Sequence, residues 1–256
     1  MDLDFTTDRG EKLRGIVELP ATGNPPWPTV IFCHGFLSNK NSSCIPSFSN
    51  HLAAAGYAVY RYDLPGHGES GGDKAEVTLP RNLQDVSKVI DILSARPEMD
   101  SGRIAITGHS FGGMTALLSP TVDQRIKTAV SVSGALNFRA VVDHLLGCGK
   151  MEWRGEHLYF SVLKGLAKQR CHQILYEYSQ KFDVRDEAVK IKIPVLLIHG
   201  TKDKTIPLAL ARESYEVLPG NDKKMVEISG AGHMFLKPWH QKKIISETKN
   251  WLAANL

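Results

Sequence analysis

Nowhere in the 256 residues do eighteen apolar residues run together, so the sequence predicts no membrane-spanning helix. It also has no block of five or more like charges. The net charge of +4 is scattered, and pairs such as Lys223-Lys224 and Lys242-Lys243 read as solvated faces, so no nucleic-acid partner is expected. Cysteine is scarce: Cys33, Cys44, Cys148 and Cys171 form neither a C-x-x-C pair nor a disulfide framework. Such usage points to a reducing, cytoplasmic setting. The opening "MDLDFTTDRGEKL" is polar and acidic and lacks the basic start and apolar middle of a secretion signal. Internal repeats and low-complexity stretches are absent as well.

What the chain does have is alternation. Short runs rich in Val, Ile and Tyr appear as "TVIFCHG" (29–35), "YAVYRYD" (57–63), "RIAITGHS" (103–110), "TAVSVSG" (128–134) and "IPVLLIHG" (193–200). Their near-continuous apolar character predicts strands covered on both faces, as in a parallel sheet. "KMVEIS" (224–229) reads as a peripheral strand. The first twenty residues read as a hairpin turning at "RGEK", added antiparallel at one edge. Between the strands, Leu79, Leu83, Val86, Ile90 and Leu93 recur at helical spacing, with Pro80 in the first turn. Ile244, Ile245, Thr248, Trp251 and Leu252 repeat the pattern after Pro238. This order predicts a doubly wound α/β fold with a mostly parallel, eight-stranded sheet. Residues 136–188 break the rhythm with helical material and no convincing strand. They read as a helical cap or lid inserted into a core made of residues 1–135 and 189–256.

The candidate chemistry lies at the C-terminal ends of the predicted strands, where doubly wound sheets hold their ligands. "GHSFG" (108–112) is a G-x-S-x-G pattern placing Ser110 at a strand-to-helix turn, but so short a pattern also arises from composition alone. Its meaning depends on partners. Asp203 follows the strand "VLLIHG", and His233 follows "MVEIS" within "GAGHMF". A serine hydroxyl needs a base to take its proton, an imidazole can do so near neutral pH, and a carboxylate fixes the imidazole's tautomer. The order Ser…Asp…His is that of one established triad arrangement. No acid stands after the preceding strand in "SVSGALNF" (131–138), where Asp143 is the nearest. Asp63 reads as a loop brace, Asp85 as helix surface, and His67 as part of a tight glycine turn.

"FCHGF" (32–36), "YDLPGHGES" (62–70), "GHSFGG" (108–113), "HGTKDKTIP" (199–207) and "GAGHMF" (230–235) together resemble the α/β-hydrolases across nearly the whole chain except 136–188. Within that superfamily the chain is similar to small esterases of the cinnamoyl/feruloyl-esterase and serine-aminopeptidase-like (S33-type) group. The resemblance implies catalytic Ser110, Asp203 and His233, and an oxyanion hole built from the backbone N–H groups of Phe36 and Phe111.

The implied function is a serine carboxylesterase acting on small-to-medium esters, with hydroxycinnamoyl esters as candidates, through an acyl-enzyme on Ser110. Monoacylglycerol lipase, thioesterase, peptidase and carbon–carbon hydrolase activities would use the same triad, as would haloperoxidase-like perhydrolysis. A non-catalytic receptor on the same scaffold is the alternative of another class. His34, Phe36, Trp153, Tyr159 and Phe160 are candidate substrate-binding residues, with His34 also a candidate brace for its loop. Leu118, Leu136, Leu166 and Phe235 are further candidates for the pocket wall. His144, Cys148, His157, Cys171 and His172 match no metal-site spacing, so neither metal nor organic cofactor is expected. The expected partner is a small ester, with the protein a monomer or homodimer.

Overall fold

The computed structural model describes residues 1–42, 44–161, 169–171, 173–181 and 184–256. Among the described residues there are twelve strands: β1 (Phe5–Thr6), β2 (Lys12–Leu13), β3 (Gly15–Glu18), β4 (Trp27–Cys33), β5 (Ala58–Tyr62), β6 (Met99–His109), β7 (Ile126–Val132), β8 (Met151–Arg154), β9 (His157–Phe160), β10 (Gln169–Cys171), β11 (Val195–Gly200) and β12 (Lys223–Ile228). The helices are α1 (Ile45–Ala53), α2 (Leu79–Ser94), α3 (Phe111–Leu118), α4 (Phe138–Gly147), α5 (Ile174–Lys181), α6 (Val184–Ala188), α7 (Leu208–Val217) and α8 (Pro238–Asn255).

The central sheet has the order β12-β11-β7-β6-β4-β5-β3, parallel throughout except for β3, which runs antiparallel to β5 at the edge. Alternate residues of one strand serve different cores. On β4, Val30 and Phe32 pack with α1 and α8, while Ile31 and Cys33 pack with α2 and α3. Burial on both faces is why these strands read as unbroken apolar runs. The polar caps of α2 also match its sequence, with the Thr78 hydroxyl accepting from the Arg81 N–H and Pro80 in the first turn.

Three expectations need correction. The central sheet has seven strands rather than eight, because β1 and β2 pair only with each other and β3 alone joins the edge. The 136–188 excursion is also not wholly helical: β8, β9 and β10 form an antiparallel sheet of their own. Arg154 pairs with His157 across the two-residue loop Gly155-Glu156, and Gly155 takes φ +58°. A glycine first in such a loop is a hairpin signal, and "WRGEHLYF" contains it. Asp85 is a third difference. It is buried rather than on the surface, and both its oxygens accept from the Arg9 guanidinium at 2.7 and 3.0 Å.

Candidate active site

Strand β6 ends at His109 and α3 begins at Phe111, so Ser110 makes the whole turn with φ +57° and ψ −117°. A side chain in this region is strained and is held there only by its surroundings. The flanking glycines permit the turn. A Cβ on Gly108 would collide with the Gly112 carbonyl, and one on Gly112 with the Cys33 carbonyl at the end of β4. Because both obstacles are backbone, Gly112→Ala is expected to cost at least about 3 kcal/mol, a fall of roughly 10 °C in Tm. Thermal melts beside Gly147→Ala, where a Cβ meets nothing within 4 Å, check this.

The turn aims the Ser110 hydroxyl at an acceptor. Its Oγ lies 2.9 Å from His233 Nε2, and His233 Nδ1 lies 2.7 Å from Asp203 Oδ2. His233 is carried on the loop after β12, and Asp203 sits three residues past β11. Each side chain comes from a different strand end, and hydrogen bonds connect all three.

Asp203 is saturated with donors. Oδ1 accepts the N–H groups of Thr205 and Ile206 at 2.8 and 3.0 Å, while Oδ2 accepts Ser133 Oγ–H at 2.9 Å besides His233. Burial alone would raise its pKa, but the His233 contact and the Ile206 N–H outweigh that and hold it at about 2. The site therefore keeps a carboxylate facing Nδ1, which leaves Nε2 as the acceptor for the serine proton.

Sequence reasoning missed three supports. Ser133, just past β7, lies in the segment 131–138 that carries no acid; its hydroxyl instead steadies Asp203. His199 donates from Nε2 to the Ile206 carbonyl at 2.9 Å. His109 donates from Nε2 to the His233 carbonyl at 2.8 Å, anchoring the backbone of that loop, and burial pushes its pKa down to about 3. Histidines next to motif glycines were the available signal for the last two.

Phe36 follows β4 in the loop facing the elbow. The Gly35 Cα packs so closely that a Cβ there would stand 3.3 Å from Ser110 Cβ. Phe111 is the first residue of α3, and its N–H belongs to the set with no acceptor inside the helix. Both residues border the space in front of Ser110.

A model of the alpha/beta hydrolase family matches residues 30–241, most of the chain. The chain belongs to that family. Est1E from Butyrivibrio proteoclasticus, solved with ferulic acid bound, superposes with a TM-score of 0.84 at 23% identity, over 99% of this chain and 98% of that one. An uncharacterized 31.7 kDa Escherichia coli protein from the traX-finO intergenic region is 24% identical, covering 82% of this chain and 85% of its own. The mitochondrial palmitoyl-protein thioesterase ABHD10 of Rattus norvegicus is 24% identical over 70% of this chain and 60% of its own length.

In this alpha/beta hydrolase a cavity of about 360 Å³ opens onto Ser110. Phe36, Phe111 and Met114 line it, and the 136–188 excursion contributes Phe138, Val141, Val142, Leu145, Met151, Phe160 and Leu175. Ser38, Ser42 and Thr205 add polar atoms, and His109 and His233 are the ionisable side chains on the wall among the described residues.

Of the candidate binding residues, Phe36 and Phe160 line the cavity and three do not. His34 is fully buried behind the loop, and Tyr159 alternates away from Phe160 on β9. Trp153 shares a strand face with Met151 but stands two residues further along β8, exposed and edge-on to Tyr176. Leu118, Leu136 and Phe235 are buried elsewhere in the core. Leu166 and His172 lie outside the described residues. Among the described residues, no three His, Cys, Asp or Glu side chains gather as a metal site. No described helix is long and apolar enough to cross a membrane.

Proposed function

We propose that this hydrolase is a serine carboxylesterase for small-to-medium, uncharged esters, including esters of aromatic acids, with a covalent acyl-enzyme on Ser110. The Ser110–His233–Asp203 hydrogen-bond chain at the mouth of an apolar cavity carries the reading. In acylation, Ser110 Oγ attacks the ester carbonyl carbon as His233 Nε2 takes its proton. The imidazolium then gives that proton to the departing alcohol. Asp203, ionised at any pH of interest, stabilises the imidazolium without taking the proton. Water deprotonated by the same Nε2 releases the acid. The negative charge on the carbonyl oxygen is met by the N–H groups of Phe36 and Phe111.

Substrate class follows from the cavity. With no carboxylate or ammonium on its described wall, a charged acyl group would lose its hydration without compensation. Four phenyl rings, of Phe36, Phe111, Phe138 and Phe160, suit a flat or short aliphatic acyl group, and the lining by Phe138, Met151, Phe160 and Leu175 supports a lid role for the segment that carries them. The likeness to Est1E with its bound ferulic acid supports the aromatic option at the level of the fold.

The test is a panel of p-nitrophenyl esters of rising chain length with methyl ferulate, a monoacylglycerol and a palmitoyl thioester, alongside labelling of Ser110 by a fluorophosphonate. Best turnover for acyl chains up to about four carbons and for methyl ferulate is expected for a cavity of this size. A preference for long chains or for the thioester would overturn the substrate class. Binding without labelling or turnover would overturn the enzyme.

A further inference from the structure

Two histidines beside the site take no part in the proton transfers above. His34 and His67 are buried, and their rings lie 5.4 Å apart between the loop after β4 and the loop after β5. Their hydrogen bonds fix their protons. His34 Nε2 accepts the Leu64 N–H at 3.0 Å, so its proton is on Nδ1, which lies 2.8 Å from the Gly35 carbonyl. His67 Nε2 accepts the Leu37 N–H at 3.2 Å, so its proton is also on Nδ1, 2.8 Å from the Pro65 carbonyl. Both rings are therefore neutral Nδ1–H tautomers.

The backbone they grip is the stretch that carries Phe36. Residues 35–38 form a turn closed by Ser38 N–H to the Gly35 carbonyl at 3.1 Å, with Leu37 in its third position at φ +62°. That position in a type II turn normally belongs to glycine, and leucine is strained there. Rotating the Phe36–Leu37 peptide by half a turn would relieve the strain, but it would withdraw the Leu37 N–H from His67. The Gly35–Phe36 peptide is held from the other side. Its carbonyl is turned toward His34, and in a trans peptide the N–H points the opposite way, away from His34. His34 lies outside the cavity wall, whereas Gly35 and Phe36 form part of it.

We infer that His34 and His67 are positioning residues that lock the Phe36 N–H into the oxyanion hole, His34 by holding the carbonyl before Phe36 and His67 by holding the N–H after it. The inference rests on the serine-esterase reading for its catalytic consequence. Neither ring touches substrate. His67 also packs its ring against Phe36, with centroids 5.6 Å apart, so shape and hydrogen bond must be separated by the choice of variant.

His67→Ala removes the acceptor; His67→Gln restores one at the distance of Nε2. With a p-nitrophenyl ester, His67→Ala is expected to lower kcat about tenfold to a hundredfold with KM within about twofold, since a misplaced oxyanion donor harms the transition state alone. Affinity for a trifluoromethyl ketone should fall by the same factor as kcat. His67→Gln should recover most of both. Kcat of His67→Ala within twofold of the parent, or a Gln variant as poor as the Ala one, would overturn the lock. So would a kcat loss without matching loss of inhibitor affinity.

Nitrogen-15 NMR of the unsubstituted protein needs no variant to fold. Both rings should show protonated Nδ1 and bare Nε2 at pH 7, and an Nε2–H form of either overturns the proposal. An unsubstituted protein that turns over no ester would instead count against the esterase reading. A parent enzyme that is active and indifferent to His67→Ala counts against the lock alone.

Discussion

Ser110→Ala is expected to abolish turnover, lowering kcat about a millionfold, and Asp203→Asn to lower it about ten-thousandfold, both with the fold intact. The alanine leaves cavity and oxyanion donors in place but removes the only atom that can bond to the acyl carbon. Its effect reports the covalent route. The asparagine is the more informative variant because the hydrogen bonds around Asp203 dictate how it must sit. Oδ1 receives two backbone N–H groups, from Thr205 and Ile206, that cannot move without unwinding the loop. An asparagine has one oxygen, and that oxygen must stay with those donors. Its NH₂ is then forced into the place of Oδ2, facing His233 Nδ1 and the Ser133 hydroxyl. An NH₂ there favours the imidazole with its proton on Nε2, which cannot accept from Ser110. Single-turnover acylation with a p-nitrophenyl ester, with circular dichroism to verify the fold, checks both variants. Ser110→Ala within tenfold of the parent would sink the acyl-enzyme. A mild Asp203→Asn phenotype would mean that His233 finds its tautomer without the carboxylate.

Much of this site is legible in the sequence, and the reason is steric. An elbow that puts Ser110 at φ +57° between two backbone collisions leaves glycine as the residue that fits at 108 and at 112, so the motif records the geometry directly. Parallel strands buried on both faces likewise write themselves as apolar runs, as on β4 and β11. The excursion at 136–188 is less readable. The strands β8 and β9 are four residues each, the period-two signal over so short a span is weak, and the turn glycine at 155 is the one firm mark. Which backbone atom a side chain grips is harder still to read. Nothing in "CHGFL" or "PGHGES" tells that Leu37 hands its N–H to a histidine thirty residues on. The misreading of Asp85 has the same origin. Its position on α2 fits a surface, and only the distant Arg9 permits burial.

Acid is expected to destabilise this protein between pH 7 and 5, because four histidines are buried neutral. Burial pushes His34 down to about 4 and His109 to about 3, and it also lowers His67 and His199 below the ordinary value of 6.5. On unfolding, all four return to about 6.5. Between that pH and their folded values the unfolded chain binds more protons than the native one, so stability is present above pH 6.5 and falls as the pH drops. His34 and His109 alone give a loss of about 2 kcal/mol each between pH 7 and 5. Asp85 works in the opposite direction: burial raises it to about 6, so the native state takes up a proton the unfolded state lacks, returning about 1 kcal/mol. Asp203, held at about 2, contributes nothing in this window and loses its stabilising effect only below its unfolded value of 3.8. The net expectation is a loss of about 3 kcal/mol or more, a large fraction of an ordinary domain's stability. Urea titrations at pH 7, 6 and 5 should show the midpoint falling, and calorimetry near pH 5.5 should show net proton uptake on unfolding. The same protonation acts on the site. A proton on Nε2 of His34 or His67 faces a backbone N–H that now bonds to it, so acid would loosen the 35–38 turn before the sheet gives way. Stability that stays flat from pH 7 to 5 would mean that these rings are charged in the folded protein, which the backbone N–H donors at Leu64 and Leu37 forbid.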